Sequence, residues 1–351
     1  MQRYVLINGR KIGAGQLTYV IAEMSANHNQ DFDQAVNIIE AAKEAGADAI
    51  KLQTYTPDTL TIDCDNKYFQ IRGTLWDGRT LYDLYSEAYM PWEWQPKLKA
   101  IAEEIGIDLF STAYDSSAVD FLEEMGVPVH KVASFENVDI PLIEKMARTG
   151  KPLIISTGMA TLGEIEEAVQ AARNAGTTQI ALLKCTSVYP APPEEMDLRT
   201  IPHLVEAFSV PVGLSDHTLD IAVPVAAVAL GACIVEKHFT LSRATPGPDS
   251  AFSLEPREFK AMVEAVRKTE KALGTVHYGV SEHDTKSRVF RRSLFAVQDM
   301  KAGEMFTAKN VRSIRPGYGL HTRYLGEIIG RRASQDIERG TPLSWSYVAG
   351  S

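Results

Sequence analysis

Cysteine is scarce in this chain: three residues in 351, at Cys64, Cys185 and Cys233. They are too few and too scattered for a disulfide framework or a zinc knuckle, which suits a reducing compartment. No apolar run is long and unbroken enough to span a bilayer, and Met1-Gln2-Arg3-Tyr4 opens no signal-peptide pattern. A cytoplasmic protein without a membrane partner is expected. Positive charge is also in short supply, with 36 Lys and Arg against 45 Asp and Glu and a net charge of -9. That argues against a nucleic-acid partner but leaves room for a local cationic pocket. Hydrophobic content of 45% and charged content of 23% are ordinary for a globular protein. The length exceeds that of a usual single domain, so one large domain and one small one are expected.

What is present is a period. Tyr4 to Gly13 (YVLINGRKIG) places two short apolar runs around Asn8-Gly9, a strong hairpin signal. β-branched runs then alternate with amphipathic helical patterns. The candidate strands are Tyr19–Glu23, Ala49–Gln53, Asp108–Thr112, Val129–Ser134, Leu153–Thr157, Ile180–Cys185, Pro211–Ser215 and Cys233–Lys237. Helical patterns include Asp33–Ala45, Ala118–Met125, Leu142–Arg148, Leu162–Asn174 and a last one at Glu255–Leu273. Eight strands alternating with helices predict an α/β protein of the (β/α)8 barrel class, ahead of an open doubly wound sheet. Chemistry in such barrels sits at the carboxyl ends of the strands.

Two stretches fix attention on that rim. Gly213-Leu214-Ser215-Asp216-His217-Thr218 closes one apolar run, and Glu236-Lys237-His238-Phe239 closes the next. Leu219 to Gly231 between them has the length and composition of a short helix, so the unit reads as right-handed βαβ. His217 and His238 then emerge side by side, which favours a metal site with two protein ligands and open positions over two unrelated histidines. Glu23 ends the first strand, Lys51, Gln53 and Thr54 the second, and Thr112 the third. Lys131, Ser134 and Glu136 end the fourth, Ser156 the fifth, Ser187 and Tyr189 the sixth, and Ser215 the seventh. A lysine inside a barrel is costly unless a negative group neutralises it. Lys51 and Lys131 therefore suggest a bound anion, with a structural ion pair to Glu23 or Glu136 as the alternative.

The segment Thr54 to Trp94 is too long for a simple connection and holds three of the four tryptophans. Loops of that length serve as lids or interfaces. Residues 276–290 read as a polar linker after a barrel spanning 1–275. Residues 291–351 form short apolar runs with turns at Lys301-Ala302-Gly303 and Arg339-Gly340, a small domain that needs a surface to lean on.

These motifs together resemble the sialic acid synthase family, and within it the branch that makes pseudaminic acid. The resemblance runs through IAEMSANHN (Ile21–Asn29), IKLQTYTPDTLT (Ile50–Thr61), HKVASFE (His130–Glu136), ISTGM (Ile155–Met159) and KCTSVYP (Lys184–Pro190). It continues in GLSDHT, EKHF and TPGPD (Thr245–Asp249), and RRSLFA through SIRPGYG looks like the antifreeze-like (SAF) domain of that family. The resemblance implies condensation of phosphoenolpyruvate with an amino sugar, here 2,4-diacetamido-2,4,6-trideoxy-altrose, with release of phosphate. N-acetylneuraminate or legionaminate synthesis is the near alternative, and a non-catalytic carbohydrate-binding protein the distant one. The resemblance further implies a divalent metal on His217 and His238, manganese first, with magnesium or cobalt as alternatives. It implies a phosphoenolpyruvate cradle from Lys51, Thr112, Lys131, Ser134, Ser156, Ser187, Tyr189 and Ser215. Glu23 and Asp249 would meet the sugar, and either Glu136 or Glu23 would handle the proton of the attacking water. The same resemblance implies a domain-swapped homodimer in which Arg315 reaches the neighbour's pocket.

Overall fold

The computed structural model describes residues 4–350, which divide into two compact units, one ending at Gly274 and the other beginning at Thr275. The first opens with an antiparallel hairpin, β1 (Tyr4–Ile7) and β2 (Arg10–Gly13), turned by Asn8 and Gly9 at positive φ. Eight parallel strands follow: β3 (Tyr19–Glu23), β4 (Ala49–Thr54), β5 (Asp108–Ala113) and β6 (His130–Val132), then β7 (Leu153–Ser156), β8 (Ile180–Cys185), β9 (Val212–Asp216) and β10 (Ile234–His238). They close in chain order, with β10 pairing β3. This is the (β/α)8 barrel expected from the alternating pattern.

The helices start where polar caps allow. Asp31, Asp115 and Asp139 each accept a backbone N–H at the head of helices Phe32–Glu44, Ser116–Met125 and Ile140–Arg148. Thr161 and Glu164 form a reciprocal capping box for Leu162–Asn174. Apolar faces of these helices, such as Ile38, Ile39 and Ala42 of the first, pack on the outer barrel wall with Ile50 and Leu52.

Two expected elements are shorter than the sequence suggested. The fourth strand was expected over Val129–Ser134, but Ser134 adopts helical angles and the chain turns into a 3-10 segment, Phe135–Val138. Ser134 and Glu136 therefore sit on a turn above the strand. The helix expected over Leu219–Gly231 runs only from Ala222 to Ala229. Its missing start is held in a loop, because the Asp220 side chain accepts the Ala222 N–H at 2.6 Å and the Lys237 ammonium takes the Thr218 and Asp220 carbonyls.

The long excursion after β4 is ordered. It contains helices Pro57–Leu60 and Leu81–Ala88, and Trp76 donates from Nε1 to the Pro248 carbonyl at 3.0 Å. The second unit pairs β11 (Ser293–Ala296) with β12 (Val311–Ile314) around a core of Leu294, Phe306, Ile328 and Leu343. Its expected turns fall where Gly303 and Gly340 take positive φ. The stretch read as linker carries a short helix, Glu282–Ser287, capped by Ser281. No helix among the described residues is long and apolar enough to cross a membrane.

Gly213 in β9 lets two strands meet. A Cβ there would lie 2.5 Å from the Ile234 carbonyl oxygen and 2.6 Å from the Ile234 Cβ, neither of which can swing away. Gly213→Ala should push β9 from β10, with an overpacking cost of about 1–3 kcal/mol read by urea unfolding. Wild-type stability would show that the barrel seam tolerates the extra carbon.

Candidate active site

Strand register gathers the site. His238 pairs Glu23, Glu23 pairs Lys51, Gln53 pairs Thr112 and Thr112 pairs Lys131, while Glu236 pairs Ser215. In-register neighbours on parallel strands share a face, so these side chains crowd the carboxyl-end interior.

Lys51 is ion-paired, the arrangement given above as the alternative to a bound anion. Its Nζ lies 3.1 Å from Glu23 Oε2 and 3.1 Å from Glu236 Oε1, and 3.4 Å from the Thr112 hydroxyl. Its charge is already balanced, by Glu23 as one alternative allowed and by Glu236, which had not been considered. Burial works against the Lys51 ammonium, but the two carboxylates outweigh it and hold its pKa above the ordinary value. Burial pushes the Glu23 carboxyl up, with Lys51 opposing. Burial would also raise Glu236, but Lys131 and Lys51 draw it down. Glu236 Oε1 also accepts the Ser215 hydroxyl at 3.0 Å, while its Oε2 is buried without a hydrogen-bond partner among the described residues.

Lys131 differs. Its Nζ donates to Ser156 Oγ at 2.7 Å and to the Val132 carbonyl at 2.9 Å. No carboxylate among the described residues pairs with it directly, and burial lowers its pKa to about 8, leaving it largely cationic at neutral pH. Beside it Ser187 donates to Ser134 at 2.9 Å. Gly158, at φ +47°, packs against both serines, where a Cβ would not fit. Lys131 with Ser156, and Ser134 with Ser187, are thus two hydrogen-bonded polar pairs at the ends of β6 to β8. Glu136, on the turn above, is pushed up to about 7 by burial, and its Oε2 has no partner among the described residues.

The two histidines lie with ring centroids 5.4 Å apart. His217 donates from Nδ1 to the Thr186 carbonyl at 2.7 Å, which leaves Nε2 with the lone pair. His238 Nδ1 is buried without a hydrogen-bond partner among the described residues. Burial lowers His217 to about 4 and His238 further below its ordinary value, so both rings are neutral at pH 7. The donor set fits a divalent ion with open coordination positions. No cluster of three or more His, Cys, Asp or Glu side chains suited to a metal occurs among the described residues, so solvent or substrate would have to complete the shell. Tyr189 packs its ring 4.3 Å from that of His217, and Phe252 lies 4.9 Å from His238.

Asp249 is half-buried beside Ser25, whose hydroxyl bonds its carboxylate, and Ala26 N–H donates to it at 3.3 Å. Arg315 is exposed in the second unit, just after β12. Glu236, Gln53 and Ser25 were not foreseen as site residues. For Glu236 a signal existed: it stands two residues before His238 on one strand, hence on the same face.

The carboxyl-end interior of this parallel barrel thus holds paired neutral imidazoles and two buried lysines. The chain belongs to the NeuB family, whose model matches residues 38–278, and residues 291–349 match the SAF domain. It is 46% identical to the pseudaminic acid synthase of Campylobacter jejuni over 93% of this chain and 95% of that one. It is 44% identical to the pseudaminic acid synthase of Helicobacter pylori, over 93% and 96% of the two chains. Among solved structures it resembles the N-acetylneuraminic acid synthetase of Leptospira borgpetersenii, with a TM-score of 0.73 and 31% identity over 82% of this chain and 95% of that one.

Replacing Lys51 by Met would remove the one cation in direct contact with both Glu23 and Glu236 among the described residues, leaving Lys131 only at longer range. The loss should be about 3–5 kcal/mol at pH 7, with part recovered when both carboxylates become Gln. A loss no larger than that of a surface substitution, about 0.5 kcal/mol, would show that the cluster does not depend on the ammonium.

Proposed function

We propose that the chain condenses phosphoenolpyruvate with 2,4-diacetamido-2,4,6-trideoxy-altrose, releasing phosphate and forming pseudaminic acid. The observation that carries this reading is Lys131. It is a buried cation without a direct carboxylate partner among the described residues, bonded to the Ser156 hydroxyl, inside the same closed barrel whose β9 and β10 ends carry two neutral imidazoles. Catalysis belongs to the barrel, residues 1–275, and the SAF domain, 291–351, completes a homodimer in which Arg315 serves the partner's barrel. The reading carries a cytoplasmic location with it, since phosphoenolpyruvate is a metabolite of that compartment.

Lys131, Ser134, Ser156 and Ser187 would bind the phosphate and carboxylate oxygens. Lys51, Thr112 and Ser215 would line the adjoining wall, with Lys51 releasing part of its hold on Glu23 or Glu236 when the anion arrives. His217 and His238 would hold a divalent cation, manganese by preference, which when bound polarises the sugar aldehyde oxygen. Glu23 and Asp249 would orient the open-chain sugar so that its aldehyde carbon meets carbon 3 of phosphoenolpyruvate, and the new carbon–carbon bond forms there. Positive charge then develops at carbon 2, which takes up water. Glu136, with Oε2 unpartnered, would remove the proton of that water. Lys131 would stabilise the phosphate as the carbon–oxygen bond to it breaks.

The choice of sugar follows the two pseudaminic acid synthases and the aromatic wall. Trp76 lies 6.1 Å from Tyr189, and Tyr55 packs edge-on 5.2 Å from Tyr114. Such a wall suits a 6-methyl group, whose burial is worth roughly 0.8 kcal/mol.

Phosphate release from phosphoenolpyruvate should depend on the diacetamido sugar, exceed that with N-acetylmannosamine, and stop on chelation. Lys131→Ala should cost about 2–5 kcal/mol in kcat/KM for phosphoenolpyruvate without loss of fold. Sugar-independent release, or wild-type kinetics in the variant, would contradict the reading. The base must be ionised to act, so kcat/KM should rise with pH through an apparent pKa near 7, the value set by burial at Glu136. Glu136→Gln should lose that limb and about 10²–10⁴ in rate. An unchanged limb would assign the proton to another group.

A further inference from the structure

Among the described residues, six other than glycine take positive φ: Asn8, Ser25, Asn29, Gln30, Asp197 and Ser209. Five of these are exposed or half-buried, where turns accommodate them. Ser25, at φ 49°, is the buried one. A residue bearing a Cβ is disfavoured there, and such strain persists only where the surroundings impose it.

The hydroxyl carried by that backbone is fully engaged. Ser25 Oγ bonds the Asp249 carboxylate and receives a hydrogen bond from Gln53 Nε2 at 2.9 Å. The same Nε2 donates to Glu23 Oε1 at 3.0 Å. One side chain therefore ties Asp249, on the loop after β10, to Gln53 and through it to Glu23, which stands beside His238 in strand register. The neighbouring turn reinforces the join, since Ala26 N–H also donates to Asp249 and Asn27 Nδ2 donates to the Phe239 carbonyl at 3.0 Å and to Ser253 Oγ at 2.9 Å. Burial pushes the Asp249 carboxyl up, and the Ser25 bond works the other way, so the serine also favours the ionised acceptor.

We propose that Ser25 is a positioning residue for the sugar: its left-handed backbone sets one hydroxyl between Gln53 and Asp249, fixing the angle at which Glu23 and Asp249 face the substrate. This rests on the condensation proposed above. Glycine would adopt the same backbone freely but would leave Asp249 and Gln53 unlinked. Alanine would keep the backbone cost and lose the link.

That difference supplies the test. Ser25→Gly should melt above Ser25→Ala, because only the alanine carries the cost of positive φ. Both should lose kcat/KM for the sugar alike, on the order of 10²-fold, with KM for phosphoenolpyruvate held within about twofold. Activity that follows melting temperature, with Ser25→Gly near wild type, would overturn the proposal. So would an equal loss in the use of both substrates. The link is also readable without turnover: in urea unfolding, Ser25→Ala and Asp249→Ala should be non-additive. Additive effects would remove the clamp. A wild-type enzyme that releases no phosphate would sink the condensation, while the unfolding cycle still decides the clamp.

Discussion

One buried ammonium organises the catalytic end of this barrel. Lys51 sits 3.1 Å from both Glu23 and Glu236, inside a closed sheet where none of the three could be charged alone. Glu23 and Glu236 come from strands that neighbour each other only because the barrel closes, β3 against β10. The ion triad thus holds the closure seam from within, while the hydrophobic staves hold it from without. It also keeps charge in a form that can be redistributed. Lys51 is held in direct ion pairs, whereas Lys131 acts on Glu236 only at longer range and has no direct carboxylate partner among the described residues.

The histidine pair depends on a second buried pair outside the barrel interior. Lys237 lies 2.5 Å from Asp216 and takes up the carbonyls of the loop that follows His217. Alternation along β9 and β10 turns Asp216 and Lys237 to the helical side, while His217 and His238 turn inward. The same short stretches supply both the anchor and the two imidazoles. Burial then keeps both imidazoles neutral, the state in which their nitrogens can donate to a metal.

Much of this was legible in the chain. The period of apolar runs located all eight strands, and Ile180–Cys185 and Tyr19–Glu23 agree to the residue. The histidine pair could be placed because a strand's carboxyl end is a reliable address in such barrels. What escaped were properties of side-chain reach and backbone angle. That Lys51 stretches to Glu236 depends on the curvature of a closed sheet, which spacing along one strand does not encode. That Ser134 and Glu136 leave the strand early reflects helical angles at Ser134, in a stretch whose apolar pattern reads as extended. Ser25 looked like an ordinary loop serine, since nothing in its neighbours demands a left-handed conformation until the Asp249 loop arrives from 224 residues away.

The central claim is that this rim is one site, with a divalent cation on the imidazoles and an anion on Lys131. Crystals grown with manganese and phosphoenolpyruvate, measured at the manganese absorption edge, address it directly. The account predicts one anomalous peak bonded to His217 and His238, with the phosphoenolpyruvate oxygens against Lys131 and its serines. A peak elsewhere, or an anion bound away from Lys131, would contradict it.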